Sequence, residues 1–283
     1  MLSIIVVCCI INDNKEQEIK IINIKIFIMN IGRSSNPALS SKVFNEKSYS
    51  LSESGTMTLE GTINKSLMML GLVILGAFYT WKIFYNADTT AIGASMVGKW
   101  IAIGGIGGFV MSLVTIFKKE WSYFSAPLYA ILEGLFLGGI SAFFENQYPG
   151  IVMQAVALTF GTLFVLLFGY KSGIIKVTQK FKAGVVAATG AVALVYFISF
   201  IFSMFGSHSL IINGNGIMGI GISLVVVVIA ALNLVLDFDF IAKGSERGLP
   251  KYMEWYSAFG LILTLVWLYI EFLRLLSKLS SRN

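Results

Sequence analysis

Residues 217–241 read IMGIGISLVVVVIAALNLVLDFDFI, an apolar run whose first charged residue is Asp237. An α-helix rises about 1.5 Å per residue, so roughly 20 apolar residues cross the hydrocarbon core of a bilayer. Lipid offers no partner to exposed backbone N–H and C=O groups, and the run lacks the polar alternation of a membrane β-strand. The stretch therefore predicts a transmembrane helix with acidic residues at its end.

The rest of the chain repeats this pattern. Six further apolar runs, separated by short polar connections, lie at 67–85, 98–117, 126–144, 151–170, 184–205 and 255–273. Hydrophobic residues make up 56% of the 283-residue chain and charged residues only 13%, whereas soluble domains carry about 25% charged residues. The mean hydropathy is +0.80. These values predict an all-α polytopic membrane protein, a seven-transmembrane-helix bundle whose main partner is the lipid bilayer.

Three regions divide the chain. Residues 1–66 include a segment rich in Ser, Gly and Asn and are expected to form a poorly ordered cytoplasmic tail. Within the tail, residues 1–29 are expected to be an extension from an upstream start, with Met29 as the alternative initiator. Residues 67–275 form the predicted membrane domain, and residues 276–283 form a short C-terminal tail.

Basic residues predict the orientation. They follow spans two, four and six, as Lys118, Lys119, Lys171, Lys176, Lys180, Lys182, Lys243, Arg247 and Lys251. The connections at 145–150 and 206–215 contain none. By the positive-inside rule, the N-terminus is cytoplasmic. Because the basic residues lie between apolar runs, the excess of 21 Lys and Arg over 15 Asp and Glu indicates topology and not a nucleic-acid-binding surface.

Small residues are spaced for close helix contacts. Gly104 and Gly108 lie four residues apart in span two, and Gly134 and Gly138 do so in span three. Small-xxx-small spacing lets helix backbones approach closely in a membrane. We expect these glycines to pack helices together.

The functional candidates are the carboxylates in or near the spans: Glu133, Asp237, Asp239 and Glu271. An ionisable side chain in hydrocarbon is costly and is retained mainly for function. On a helix, Asp237 and Asp239 point about 200° apart, whereas Thr264 and Glu271 share one face about 10 Å apart. Arg274 is the candidate cationic partner of a carboxylate. A buried carboxylate that gains or loses a proton can open or close a helix contact.

Metal and covalent chemistry have little support. His208 is the only histidine, and the two cysteines, Cys8 and Cys9, are remote from it, so neither a zinc site nor an HExxH protease is expected. The Gly-x-Gly-Asp phrase of intramembrane aspartyl proteases is also absent. We expect no enzymatic activity, no metal centre and no cofactor.

Longer phrases carry a family resemblance. ALNLVLDFDFI (231–241) and KGSERGLPKYMEWYSAFGLILTLVWLYIEFLRLLSKL (243–279) resemble the Bax inhibitor-1/YccA-like (transmembrane Bax inhibitor motif) family. APLYAILEGLFLGGISAFFENQYPGIVMQAVALT (126–159) and NPALSSKVF (36–44) are similar to its prokaryotic branch. The resemblance implies a compact seven-helix bundle with a central last helix, located in a bacterial inner membrane.

The resemblance also implies a function. Characterised members are pH-sensitive calcium leak pathways gated by an aspartate pair on the last two helices. The corresponding positions here are Asp237 and Thr264, so this chain departs from the two-aspartate pattern. Glu271, Asp239 and Glu133 are the candidate replacements for the missing acid. Ca²⁺ would then be the transported ion and not a bound cofactor.

A second function is a regulatory or scaffold role. Some relatives bind a membrane protease or another stress-response partner, and loss of the second aspartate favours this alternative. The N-terminal tail would be the binding segment.

Overall fold

The computed structural model describes residues 55–87, 89–205 and 216–282. Its long helices are α1 Leu59–Tyr85, α2 Thr90–Phe117, α3 Ser122–Gln147, α4 Ile151–Lys171, α5 Gln179–Met204, α6 Ile217–Glu246 and α7 Met253–Ser280. All seven are long and apolar enough to cross a membrane, and no strand forms within these ranges. The predicted all-α, seven-helix membrane bundle is confirmed.

Helix α7 lies at the centre of the bundle, as predicted. It contacts α1, α3, α4 and α6. In its most apolar window 67% of the residues are buried inside the bundle, against 17% in α4 and in α5. Its neighbour α6 is the next most buried helix, at 50%. The two helices that carry the candidate acids Asp237 and Glu271 are therefore the most enclosed.

Glycines hold α3 between α1 and α2. A Cβ on Gly104 of α2 would lie 2.5 Å from the Leu132 carbonyl oxygen, and Gly134 and Gly138 of α3 contact the α1 backbone at Val73 and Ala77. Such backbone approaches exclude any larger side chain. The small-residue spacing therefore does mark helix-packing surfaces.

Several helices extend beyond their hydropathy boundaries, among them α1 and α7. Helix α1 begins at Leu59, because the Thr58 side chain accepts a hydrogen bond from the Gly61 N–H at 3.0 Å and caps the helix. Helix α7 continues to Ser280, so the segment assigned to the C-terminal tail is largely helical. Hydropathy detects only the lipid-spanning part of a helix. The predictions made for residues 1–54 and for His208 lie outside the described residues.

Helix α6 ends in a glycine turn. The Leu249 N–H donates to the Gly244 carbonyl at 3.1 Å, the Gly248 N–H donates to the Ser245 carbonyl at 3.1 Å, and Gly248 has φ +62°. This is the Schellman arrangement, which favours glycine at the left-handed position. The turn directs the chain straight into α7.

Candidate functional site

Asp237 lies at the contact between α6 and α7. Its side chain is buried, and the Thr264 side chain of α7 interacts with it. The Thr264 hydroxyl also donates to the Gly260 carbonyl at 3.2 Å, within its own helix. Asp237 Oδ2 has no hydrogen-bond partner among the described residues. The residue pair aligned with the family's gate therefore does meet, but as one acid and one alcohol.

A second unpartnered oxygen lies one helical turn away. Asn233 is fully buried in α6, and its Nδ2 donates to Thr189 Oγ1 of α5 and to the Ile229 carbonyl, each at 2.8 Å. Its Oδ1 accepts no hydrogen bond from any residue that the structure describes. Residues four apart share a helix face, so Asn233 and Asp237 extend one polar strip along α6. Asn233 was not among the residues predicted from sequence, although a lone asparagine inside an apolar run was a detectable signal.

Asp237 lacks a compensating cation in the part of the chain that the structure describes. Among the described residues, no lysine, arginine or histidine forms an ion pair with it, and no second carboxylate is hydrogen-bonded to it. An ionised carboxylate buried without a partner is costly. The charge state of Asp237 is therefore coupled to the packing of α6 against α7.

Asp239 belongs to a different environment. Lys182 Nζ of α5 lies 2.7 Å from its Oδ2, and Lys243 Nζ lies 2.7 Å from its Oδ1. The Tyr170 hydroxyl of α4 is 3.5 Å from Oδ1. With two lysines at hand, this buried carboxylate is held as an ion pair and ties α5 to the end of α6. Asp237 and Asp239 therefore have different surroundings, as their angular separation on the helix predicts.

Glu271 forms a third polar cluster. Arg274 Nη1 lies 2.9 Å from its Oε1, and the Tyr196 hydroxyl of α5 donates to the same carboxylate at 3.0 Å. Trp267 Nε1 donates to Oε1 at 3.2 Å, and Arg274 Nη1 donates to the Tyr196 oxygen at 2.6 Å. Glu271 is only 1% exposed. In the described part of the chain its partners are Tyr196, Trp267 and Arg274, and Asp237 is not among them.

Glu133 faces α2 instead. A Cβ on Gly108 would lie 2.9 Å from Glu133 Oε2, so the absence of a side chain at Gly108 makes room for the carboxylate. Among the described residues, no hydrogen bond links Glu133 to Asp237, whose Oδ2 is unpartnered. Within the described residues, none of the three candidate replacements is therefore hydrogen-bonded to Asp237.

Two charged residues were missed or misplaced. Glu254, at the start of α7, is fully buried and bonds to Thr58. Lys278 belongs to the predicted C-terminal tail, 276–283, but it lies within α7, and its Nζ donates to the Gly219 carbonyl at 3.1 Å and to Ser223 Oγ at 2.8 Å. Both contacts join distant parts of the chain, so sequence spacing gave no signal for them.

Comparison with known protein families identifies the family of this helix bundle. The model of the Bax inhibitor 1 like family matches residues 36–281. The chain belongs to the Bax inhibitor 1 like family. No functionally curated protein matches the chain. Family membership and the seven apolar helices establish an integral membrane protein. Within the described residues, no three His, Cys, Asp or Glu side chains gather closely enough to hold a metal ion.

Proposed function

We propose that this Bax inhibitor 1 like protein is a passive, proton-sensitive cation leak, with Ca²⁺ as the candidate ion and Asp237 as the principal sensor. The supporting observation is Asp237 Oδ2, which lies between the two most buried helices and has no hydrogen-bond partner in the described part of the chain. The same proposal places the protein in a bacterial inner membrane with a cytoplasmic N-terminus, and gives it no enzymatic role.

In this proposal the polar residues of α6 and α7 have different roles. Protonated Asp237 is neutral and tolerates the closed contact with Thr264, whereas the ionised form favours water and separation of α6 from α7. Once the helices separate, the Asp237 carboxylate, the Asn233 carbonyl and the Thr264 hydroxyl offer the oxygen ligands that hard cations prefer. Asp239 and Glu271, each held by a cation, anchor α6 and α7 to α5.

Calcium flux into liposomes tests the proposal. Wild-type protein should give a flux that changes with pH, and Asp237→Asn should abolish the pH dependence because an amide does not titrate. Asp239→Asn is the matched control: it makes the same change two residues away, at a carboxylate already paired with two lysines, and should keep the pH response. Absence of flux from the purified wild type at every pH overturns the proposal.

A scaffold role is the second candidate. It is favoured by the docking of residues 55–58, which anchors the N-terminal tail beside the α6–α7 turn. A membrane protease or stress-response protein would then bind residues 1–54. Deletion of those residues should abolish crosslinking to that partner, whereas a leak should survive it.

A further inference from the structure

The four residues before α1 form a strap, residues 55–58, across the α6–α7 turn. Thr56 pairs with Pro250 in an isolated antiparallel bridge, and the Met57 N–H donates to the Leu249 carbonyl at 2.7 Å. Gly55 has φ +69°, a conformation that suits glycine where the chain turns into the strap. Main-chain contacts thus fix the strap to a turn that lies far away in sequence.

Met57 is a wedge between the ends of the two helices. It is 1% exposed. Ser257 Oγ, in the first turns of α7, lies 4.0 Å from its Sδ, and a Cβ on Gly244, near the end of α6, would lie 3.0 Å from the same sulfur. The thioether therefore fills the gap between α6 and α7, on the two helices that carry Asp237 and Thr264.

Glu254 locks the strap in place. Its Oε1 accepts hydrogen bonds from the Thr58 N–H at 2.8 Å and from the Thr58 hydroxyl at 2.9 Å. Lys65 of α1 and Lys251 of the turn form ion pairs with the same carboxylate. Because Glu254 is fully buried, its charge depends on these three partners. Strap, α1 and α7 are joined at this single side chain.

We infer that the strap is a releasable latch that controls separation of α6 from α7. Lifting Met57 would open the gap between the helix ends. The claim that the latch controls ion flux rests on the leak proposed above. The claim that the strap can be released from α6 and α7 does not depend on that leak.

A buried reporter separates these two parts. Ser257→Cys is placed in a full-length Cys8→Ser/Cys9→Ser background, and the rate of maleimide labelling in detergent is measured beside liposome Ca²⁺ flux. Met57→Asp puts a charge into the wedge site and should raise the labelling rate at least about tenfold, because labelling of a buried group requires local opening. Flux should rise with it. Leu59→Asp is the matched control, since Leu59 is 51% exposed, and should change neither.

Glu254→Gln provides a milder variant that keeps the packing of Met57. It should raise labelling and flux in the same direction, and it decides the case if Met57→Asp does not fold. Unchanged labelling in the folded variants overturns the latch. Increased labelling with wild-type flux overturns its control of the leak. Increased labelling with no flux in any protein, wild type included, leaves the latch standing and rejects the proposed leak.

Discussion

Asp237 and Thr264 meet at the contact between α6 and α7, yet Asp237 Oδ2 has no hydrogen-bond partner within the described ranges. The Thr264 hydroxyl also donates a hydrogen bond to the Gly260 carbonyl of its own helix. A threonine at this position therefore supplies no second charge, and its hydroxyl is shared between Asp237 and Gly260. A gate at this contact depends on a single carboxylate.

Restoring an acid at position 264 is the direct test of this relationship. In Thr264→Asp, two carboxylates would face each other, and their repulsion is relieved when they share a proton. We expect liposome flux to remain pH-dependent, with a midpoint displaced toward alkaline pH. Thr264→Val is the control of matched shape and should leave the midpoint close to wild type. Equal midpoints in the Asp and Val variants would contradict the assignment of this contact as the sensor.

Asn233 should affect function more than stability. Asn233→Leu removes two hydrogen bonds, but it also removes a buried oxygen that has no partner, and Thr189 still donates to the Val185 carbonyl at 2.7 Å. We expect a change of no more than about 1 kcal/mol in the free energy of unfolding. Calcium flux should fall clearly, because one oxygen ligand is lost from the strip beside Asp237. A variant with normal flux would exclude Asn233 from the pathway.

The Glu271 cluster should be structural. Arg274→Gln leaves a buried carboxylate without its cation and should lower the free energy of unfolding by about 3 kcal/mol, measured by denaturation in detergent. The double variant Glu271→Gln/Arg274→Gln should recover part of this loss, because neither charge is then stranded. Arg282→Gln, at an exposed arginine, should be neutral. An equal loss in the single and double variants would show that the ion pair itself is not the cause.

The fold followed from sequence more readily than the site did. The seven spans and the close contacts of Gly104 and Gly134 could be predicted, because they depend on local composition and residue spacing. The bond between Glu254 and Thr58 joins residues 196 positions apart. No local pattern could give it, and the same holds for Lys278 and Ser223. The family resemblance paired Asp237 with Thr264, but the partners of Glu271 and Asp239 are visible only in the packed helices.

Glycine contacts in α3 should tolerate no added methyl group. Gly134→Ala would drive a Cβ into the Val73 backbone of α1, and we expect a loss of about 2 kcal/mol in the free energy of unfolding in detergent. Gly161→Ala in α4 is the matched control, since a Cβ added there would have nothing within 4 Å. That change should be neutral or slightly stabilising, because alanine is the better helix former. Similar behaviour of the two variants would argue against the close α1–α3 contact.

Orientation can be measured with single cysteines in a Cys8→Ser/Cys9→Ser background. Lys176 and Gln147 are both exposed and lie at opposite ends of α4, which crosses the membrane between them. If the basic connections are cytoplasmic, Lys176→Cys should react with a membrane-impermeant maleimide only after the cells are opened, whereas Gln147→Cys should react in intact spheroplasts. The reverse pattern would invert the orientation. It would also place the strap and Asp239 on the outer side, so that the tail could not bind a cytoplasmic partner.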